Sequence, residues 1–310
     1  MGDRSNASGN VICMGSIIMD ISIRCPQFPE VGETMYTPYS YEALPGGKGA
    51  NQAVAVARMG GNVKMLGRIS TDDYGRTLET GLKQEGIDVT SLKKDESTQS
   101  GVAFVWVNEK GQNQIICSPA VNSKSCYTDY EEELERLTSE DIVIITLELS
   151  GESFQKVIKK VKEKKSFLIL DPSGGDYTRL TPELMSHIDM IKPNEVEAGI
   201  ITGVSITERD SWEQAIESLQ KKGVTYPLIS LGENGIIYKK NNQIVHVPGI
   251  PVKVTDTTAA GDTFIGAFAA KLSKGASFEE SVEYGNKAAS ICVQHRGAQV
   301  SIPYTKDIIL

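Results

Sequence analysis

The chain has no CxxC pair and no even set of cysteines. Its five cysteines, Cys13, Cys25, Cys117, Cys126 and Cys292, are scattered. Such spacing excludes a disulfide framework and a thiolate zinc site, and predicts buried free thiols in a reducing cytoplasm. No apolar run approaches the roughly 18 to 20 residues that span a bilayer. The opening MGDRSNASGN is polar, lacks the apolar region of a secretory signal, and carries Asn6 where a myristoylation signal needs Ser or Thr, so it reads as a frayed tail. A basic excess is missing too: 32 Lys and Arg face 40 Asp and Glu, a formal charge of −8. That balance argues against nucleic acid or an anionic membrane as partner, so an anionic ligand needs a local site. Neither common nucleotide fingerprint is present. The first apolar run is followed by "MGSIIMD" rather than GxGxxG, and "GGKGAN" lacks the GxxxxGK[ST] spacing, which disfavours a dehydrogenase or a P-loop ATPase. Internal repeats and low-complexity tracts are absent as well.

What is there is ordinary globular material: 310 residues, 40% hydrophobic and 23% charged, enough for two domains or one large α/β layer structure. Short apolar runs alternate with amphipathic stretches, the pattern of a doubly wound, mainly parallel sheet flanked by helices. Central strands are predicted at 10–16, 62–69, 141–147, 166–171, 188–193 and 226–231, and helices at 49–59, 73–85, 151–164, 207–222, 261–273 and 277–294. Two β-rich segments, 31–47 and 100–120, break the alternation and predict a small accessory sheet, the second as a hairpin around Glu109, Lys110 and Gly111. "GIIYKKNNQIVHVPG" predicts another hairpin with Asn241 and Asn242 at its tip.

Three stretches could carry chemistry. In "VTDTTAAGDTFIGAF", Asp256 and Asp262 flank a small-residue turn, and Phe264, Ile265, Phe268 and Leu272 follow at helical spacing. Free amides and the dipole at such a helix start make an anion site, yet Asp262 could equally be a simple helix cap. "PGGKGANQAVAVARMG" places glycines, Lys48 and Asn51 at another helix start, where amides and polar side chains can meet a hydroxyl-rich or anionic ligand; a tight turn is the alternative. "KPNEVEAGIITG" sets Asn194 and Glu197 three apart after a strand, as a dipole complement or a metal site.

Together "GSIIMD", "FPEVGET", "GGKGANQAVAVARMG", "KPNEVEA", "LGENG", "DTTAAGDTFIGAF" and "RGAQVSIP" resemble, in order and spacing, the ribokinase-like (PfkB-type) carbohydrate kinase family over nearly the whole chain. The resemblance implies one α/β kinase domain over 1–310 with a β-sheet lid inserted at about 20–46 and 98–120, cytoplasmic, dimeric through the lid, and without nucleic-acid or membrane partners. It implies transfer of phosphate from ATP to the primary hydroxyl of a ribose-like pentose. A 2-deoxyribose kinase, a kinase of another small sugar or nucleoside, and a non-catalytic sugar sensor are the alternatives.

By the same resemblance Asp262 is the general base, and the amides of Ala259, Ala260 and Gly261 form an anion hole for the phosphoryl group in flight. Phosphoryl transfer needs mainly such positioning and electrostatic stabilisation. Asp20, Gly47, Lys48, Asn51 and Glu148 match the family's sugar contacts. Asn194 and Glu197 match a motif near Mg²⁺ and the phosphates, and Ser230, Gly232 and Asn286 fall near the nucleotide. Asp256, Thr258, Cys292, His295 (through its carbonyl), Gly297 and Ser301 match a K⁺ site, since oxygen donors suit such hard cations. One departure stands out. The ribokinase branch typically reads "GSINAD", so Ile18 replaces an asparagine expected to bond sugar hydroxyls; "SPAVN" for a glycine-containing "AGAN" is a milder change.

Overall fold

The computed structural model describes residues 9–110 and 112–308, so the polar tail up to residue 8 and Gly111 at the expected hairpin tip lie outside the described residues. The first third of the chain holds β1 (Val11–Met14), β2 (Ile18–Cys25), β3 (Glu42–Gly46), α1 (Lys48–Arg58), β4 (Val63–Leu66), β5 (Arg68–Ser70), α2 (Asp73–Gln84) and β6 (Lys93–Asp95). Then come β7 (Gly101–Asn108), β8 (Asn113–Ser118), α3 (Glu131–Glu135), β9 (Ile142–Thr146), α4 (Gly151–Lys164), β10 (Phe167–Asp171), α5 (Pro182–Met185) and β11 (Met190–Ile191). The last third contributes α6 (Glu195–Thr202), α7 (Arg209–Lys221), β12 (Tyr226–Ser230), β13 (Ile236–Lys240), β14 (Gln243–Val247), α8 (Ala260–Ser273) and α9 (Phe278–Cys292).

Eight strands form one sheet in the order β14-β13-β12-β11-β10-β9-β1-β4, parallel from β4 to β12 and antiparallel at the β13–β14 hairpin. Side chains alternate faces along a strand, which is why the central runs are apolar throughout. Val11 and Cys13 of β1 enter one core with α1, α8 and α9, whereas Ile12 and Met14 enter the other with α4 and α7. Each central strand is shorter than its apolar run, and "NVKMLGRI" divides at Gly67: β4 stays in the main sheet while β5 leaves it to pair with β6. The hairpin tip falls at Asn241 and Asn242, with φ of 50° and 63°, the left-handed turn that asparagine tolerates.

A second sheet, β3-β2-β7-β8, stands where the lid was expected. Only the end of the 31–47 segment is strand; Val31 to Tyr41 has none, and Pro26, Pro29 and Pro38 punctuate the loop. The strand β2, most of which falls in the expected 20–46 segment, follows β1 so closely that the sequence does not separate them. Pro45 is tolerated because β3 is an edge. The expectation of buried thiols holds for Cys13, Cys25 and Cys292 but not for Cys117, exposed on β8, or the half-buried Cys126. No helix among the described residues is long and apolar enough to cross a membrane.

Candidate active site

Strand order reverses at β1, whose neighbours β4 and β9 lead away in opposite directions. In open α/β sheets a crevice opens at such a point beyond the carboxyl ends of the strands. Ser16 follows β1 there, Glu148 follows β9, Asp171 ends β10, Lys192 follows β11 and Ser230 ends β12. A cleft of about 830 Å³ runs along this edge, lined among others by Lys48, Asp171, Lys192, Asn194, Glu197, Ser230, Gly232, Asp262 and Asn286.

Asp262 is the third residue of α8, whose N-cap, Ala259, makes no side-chain capping bond. The helix-cap reading is therefore set aside. The buried carboxylate instead accepts from Asn51 Nδ2 at 3.0 Å on Oδ2 and from Gln52 Nε2 at 3.1 Å on Oδ1, both side chains of α1. Gln52 Nε2 also donates to Asp171 Oδ2 at 2.8 Å. Burial raises the pKa of Asp262 above the usual carboxylate range; the Asp171 charge adds to this, while Lys48, Asn51 and Lys192 oppose it. Burial pushes Asp171 the same way, but Lys48, Lys192 and the Ser173 bonds outweigh it and hold that carboxyl low. For Lys48 burial would lower the pKa, yet Asp262, Asp171, Glu148 and Glu197 together carry it above its ordinary value.

The turn before α8 is shaped for close approach. Ala259 sits at φ 61°, a left-handed conformation rarely adopted by alanine. A side chain at Gly261 would put its Cβ 2.7 Å from Lys192 Nζ, so the ammonium lies directly over the turn. The amides of Gly261 and Asp262, in the first helical turn, have no helical carbonyl to bond, whereas Ala260 N–H donates to Thr257 O at 3.2 Å. Free amides, a helix N-terminus and two ammonium groups concentrate positive potential in a protein of net charge −8.

Beyond the carboxyl end of β1, Ser16 ties β1, β9 and α1 together. Its N–H and Oγ donate to the two Glu148 oxygens at 3.1 and 3.0 Å, and its Oγ accepts from Lys48 N at 3.1 Å. Burial of its carboxyl raises the pKa of Glu148, partly offset by Ser16, Lys48 and Thr146. Gly47, at φ 94°, turns the chain into α1. Strand register aligns Leu44, Asp20, Ala103 and Cys117 in one row across the lid. Burial raises the pKa of the Cys117 thiol, and the charges of Glu148 and Asp20 add to this. Burial, reinforced by the Asp262 charge, pushes the pKa of Asp20 up to about 6. Ile18, two residues before Asp20 on the same face, is buried.

Asn194 and Glu197 form a reciprocal capping box on α6, each backbone N–H donating to the other side chain at 2.9 Å. The structural reading of that pair thus holds, and the remaining Glu197 oxygen accepts from Ser173 Oγ at 2.5 Å. Ser230 N donates to Pro193 O at 3.0 Å, joining β12 to the same connection, and Asn286 Nδ2 donates to Pro248 O at 3.0 Å. A separate cluster gathers behind the α8 turn. Asp256 accepts from Thr258 N at 2.9 Å, Thr258 Oγ1 at 2.7 Å and Gly297 N at 3.0 Å, which outweigh its burial and lower its pKa. Cys292 Sγ meets Ser301 Oγ at 3.1 Å, and the backbone N–H of the exposed His295 donates to Cys292 O at 3.0 Å.

The sequence pattern of the pfkB family carbohydrate kinases matches residues 8–305. The chain belongs to the PfkB family of carbohydrate kinases. As such it is a phosphotransferase that acts on a sugar hydroxyl. Ribokinase of Haemophilus influenzae is 36% identical to this PfkB-family chain over 298 residues, 96% of each. Deoxyribokinase of Salmonella typhi is 31% identical over 294 residues, 95% of each. The structure of Arabidopsis thaliana ribokinase complexed with ribose and ATP superposes with a TM-score of 0.87 at 32% identity, covering 97% of both chains.

Four residues of this PfkB site escaped the sequence reading: Ser16, Gln52, Asp171 and Lys192. Each had a faint signal. Asp171 and Lys192 are charged residues closing the apolar runs "FLILD" and "IDMIK", and Gln52 is a polar residue just before the apolar stretch "AVAVA" of α1.

Proposed function

We propose that the chain transfers the γ-phosphoryl group of ATP to the primary hydroxyl of a ribose-like pentose, with Asp262 as general base. The observation that carries this reading is a buried carboxylate of raised pKa, held by two amides at the start of α8 beside two ammonium groups. The sugar hydroxyl oxygen attacks the γ-phosphorus, the bond to the β-phosphate oxygen breaks to release ADP, and the hydroxyl proton passes to Asp262. The amides of Ala259, Ala260 and Gly261 receive the developing negative charge, Ala260 by giving up its bond to Thr257 O. Lys48 and Lys192 neutralise the phosphates. Asp20, Gly47, Lys48, Asn51 and Glu148 hold the sugar, Asn51 doing so while it grips Asp262; Ser230, Gly232 and Asn286 flank the nucleotide.

Among the described residues no group of three or more His, Cys, Asp or Glu side chains could by itself hold a metal ion. That suits Mg²⁺, which keeps several waters and rides mainly on nucleotide phosphates; Glu197 and Asn194 would support those waters, and the ion would neutralise phosphate charge. Oxygen atoms of Asp256, Thr258 and Ser301, with carbonyls of Cys292, His295 and Gly297, suit K⁺. The single-domain reading of 1–310 makes the lid a cover that keeps water from the phosphoryl group. Phe104 and Ile116 are exposed on the lid and pair across β7 and β8; this apolar surface supports a lid-mediated homodimer, testable by sedimentation of Ile116→Lys.

2-Deoxyribose is the second reading, favoured by the apolar side chain of Ile18. The test is coupled ADP release over a pentose panel with wild type and Asp262→Asn. A general base contributes roughly 10²- to 10⁴-fold, so turnover is expected to fall by that much while the fold persists. Undiminished turnover removes Asp262 from the role, and saturable sugar binding without ADP release makes the protein a sensor.

A further inference from the structure

Gln52 is fully buried, and its amide nitrogen lies between two carboxylates from different elements, Asp171 of β10 and Asp262 of α8. The amide has two hydrogens, and these two bonds use both. A carbonyl oxygen could not face two anions, so charge fixes which end of the amide points where. The other end, Oε1, is buried without a hydrogen-bond partner among the described residues. An unpaired buried acceptor is costly, and a side chain selected only for packing at this position would be apolar. Asn51 grips the second oxygen of Asp262, so each carboxylate oxygen is held by one amide from α1. From Asp171 the connection continues: Ser173 N donates to its Oδ1 at 3.0 Å, and Ser173 Oγ donates to Glu197.

We propose that Gln52 is a positioning residue, which clamps Asp262 in one rotamer and couples it to Asp171 as a single unit. This rests on Asp262 being the base. The charged and titratable groups that face Asp262 are Lys48 from α1, Lys192 before α6, Asp171 from β10, Asp20 from β2 and the neutral Cys292 thiol from α9. Two anions this close would share a proton if nothing stood between them. A neutral donor bonded to both stabilises the doubly ionised state. With Gln52 in place the carboxylate of the base is aimed, and its proton affinity is set by burial, by Lys48 and by the Asp171 charge.

The two carboxylates make opposite demands that packing alone does not. Gln52→Met keeps volume and removes the donor, so the acidic limb of the kcat profile is expected to move up by about one pH unit. The plateau kcat is expected to fall roughly 10- to 100-fold with KM nearly constant, since an interaction that acts on the transition state is lost. Asp171→Asn keeps an acceptor for Gln52 and removes the charge, so the limb is expected to move down. Limbs that stay in place, move together, or give way to a pure KM effect overturn the proposal. Should either variant fail to fold, carboxyl-¹³C aspartate labelling of the wild type and Asp262→Asn gives a second readout. The signal lost in Asp262→Asn is expected to titrate above the usual range, and another low-titrating buried carboxyl to shift in response. Two independent titrations overturn the coupling. A wild type that releases no ADP with any sugar refutes the assignment of Asp262 as base, whereas an active wild type with uncoupled carboxylates refutes only the role of Gln52.

Discussion

Ile18→Asn is expected to convert a tolerant sugar pocket into one that demands a hydroxyl. Ile18 is 8% exposed, and its Cγ2 lies 2.7 Å from where a side chain at Gly101 would begin, so its wall is tightly backed by β7. The polar groups near it are committed. Asn122 Oδ1 accepts from Ile17 N at 2.9 Å and its Nδ2 donates to Ile17 O and Pro119 O, both at 3.0 Å, while Ser16 is bonded to Glu148 and Lys48. In the wild type neither the Ile18 wall nor these committed groups pair with a sugar 2-hydroxyl, and kcat/KM for 2-deoxyribose is expected to fall within about tenfold of ribose. An asparagine here gains a hydrogen bond to ribose, about 1 kcal/mol net, and leaves its amide unpaired with 2-deoxyribose, about 1–3 kcal/mol. Taken together the discrimination is about 2–4 kcal/mol, so the ratio of kcat/KM for 2-deoxyribose over ribose is expected to drop roughly 30- to 800-fold. Coupled ADP release with both sugars measures it, Ile18→Val serves as the apolar control, and a thermal melt checks the fold. An unchanged ratio in a folded Ile18→Asn protein, or equal losses for both sugars, would show that Ile18 does not meet the 2-position.

Asp20, at about 6, is protonated in the folded state over a range where the unfolded chain is ionised, so its ionisation weakens the fold slightly as pH rises from 4 to 6. The ionised form accepts sugar hydroxyls, so kcat/KM is expected to climb about tenfold between pH 5 and 7; Asp20→Asn should remove the component centred near 6, and a surviving one would clear Asp20. Ala259→Gly relieves a left-handed alanine, with a net gain of about 0.5–1 kcal/mol in chemical denaturation and a loss of kcat as the turn loosens; destabilisation beyond about 1 kcal/mol would show that the alanine methyl matters more than strain. For the cluster around Asp256 and Ser301, kcat is expected to fall when K⁺ is replaced by tetramethylammonium at matched ionic strength, and equal rates would rule out a cation there.

Much of this protein was legible in its residues because the relevant signals are local. The apolar runs of β1, β9, β10 and β12 report burial on both faces, the periodicity after Gly261 reports α8, and Asn241-Asn242 reports a left-handed turn. The motif stretches likewise supplied Asp262, Lys48, Asn51 and the Asn194–Glu197 pair, since each sits where a strand or loop meets a helix. Three features lay beyond that reach. The break between β1 and β2 depends on which sheet takes the second strand, and exposure of Cys117 depends on β8 being an outer strand, exposed along its whole length. The union of Gln52 with Asp262 crosses 210 residues of chain and that with Asp171 crosses 119. Periodicity and capping describe neighbours a few residues apart, whereas proton affinity is set by whichever charges folding brings within a few ångströms. The sequence by itself therefore determined the layers, the helix starts and the kinds of groups at them; only the tertiary structure decided which carboxylate shares an amide with which, and hence which one can act as a base.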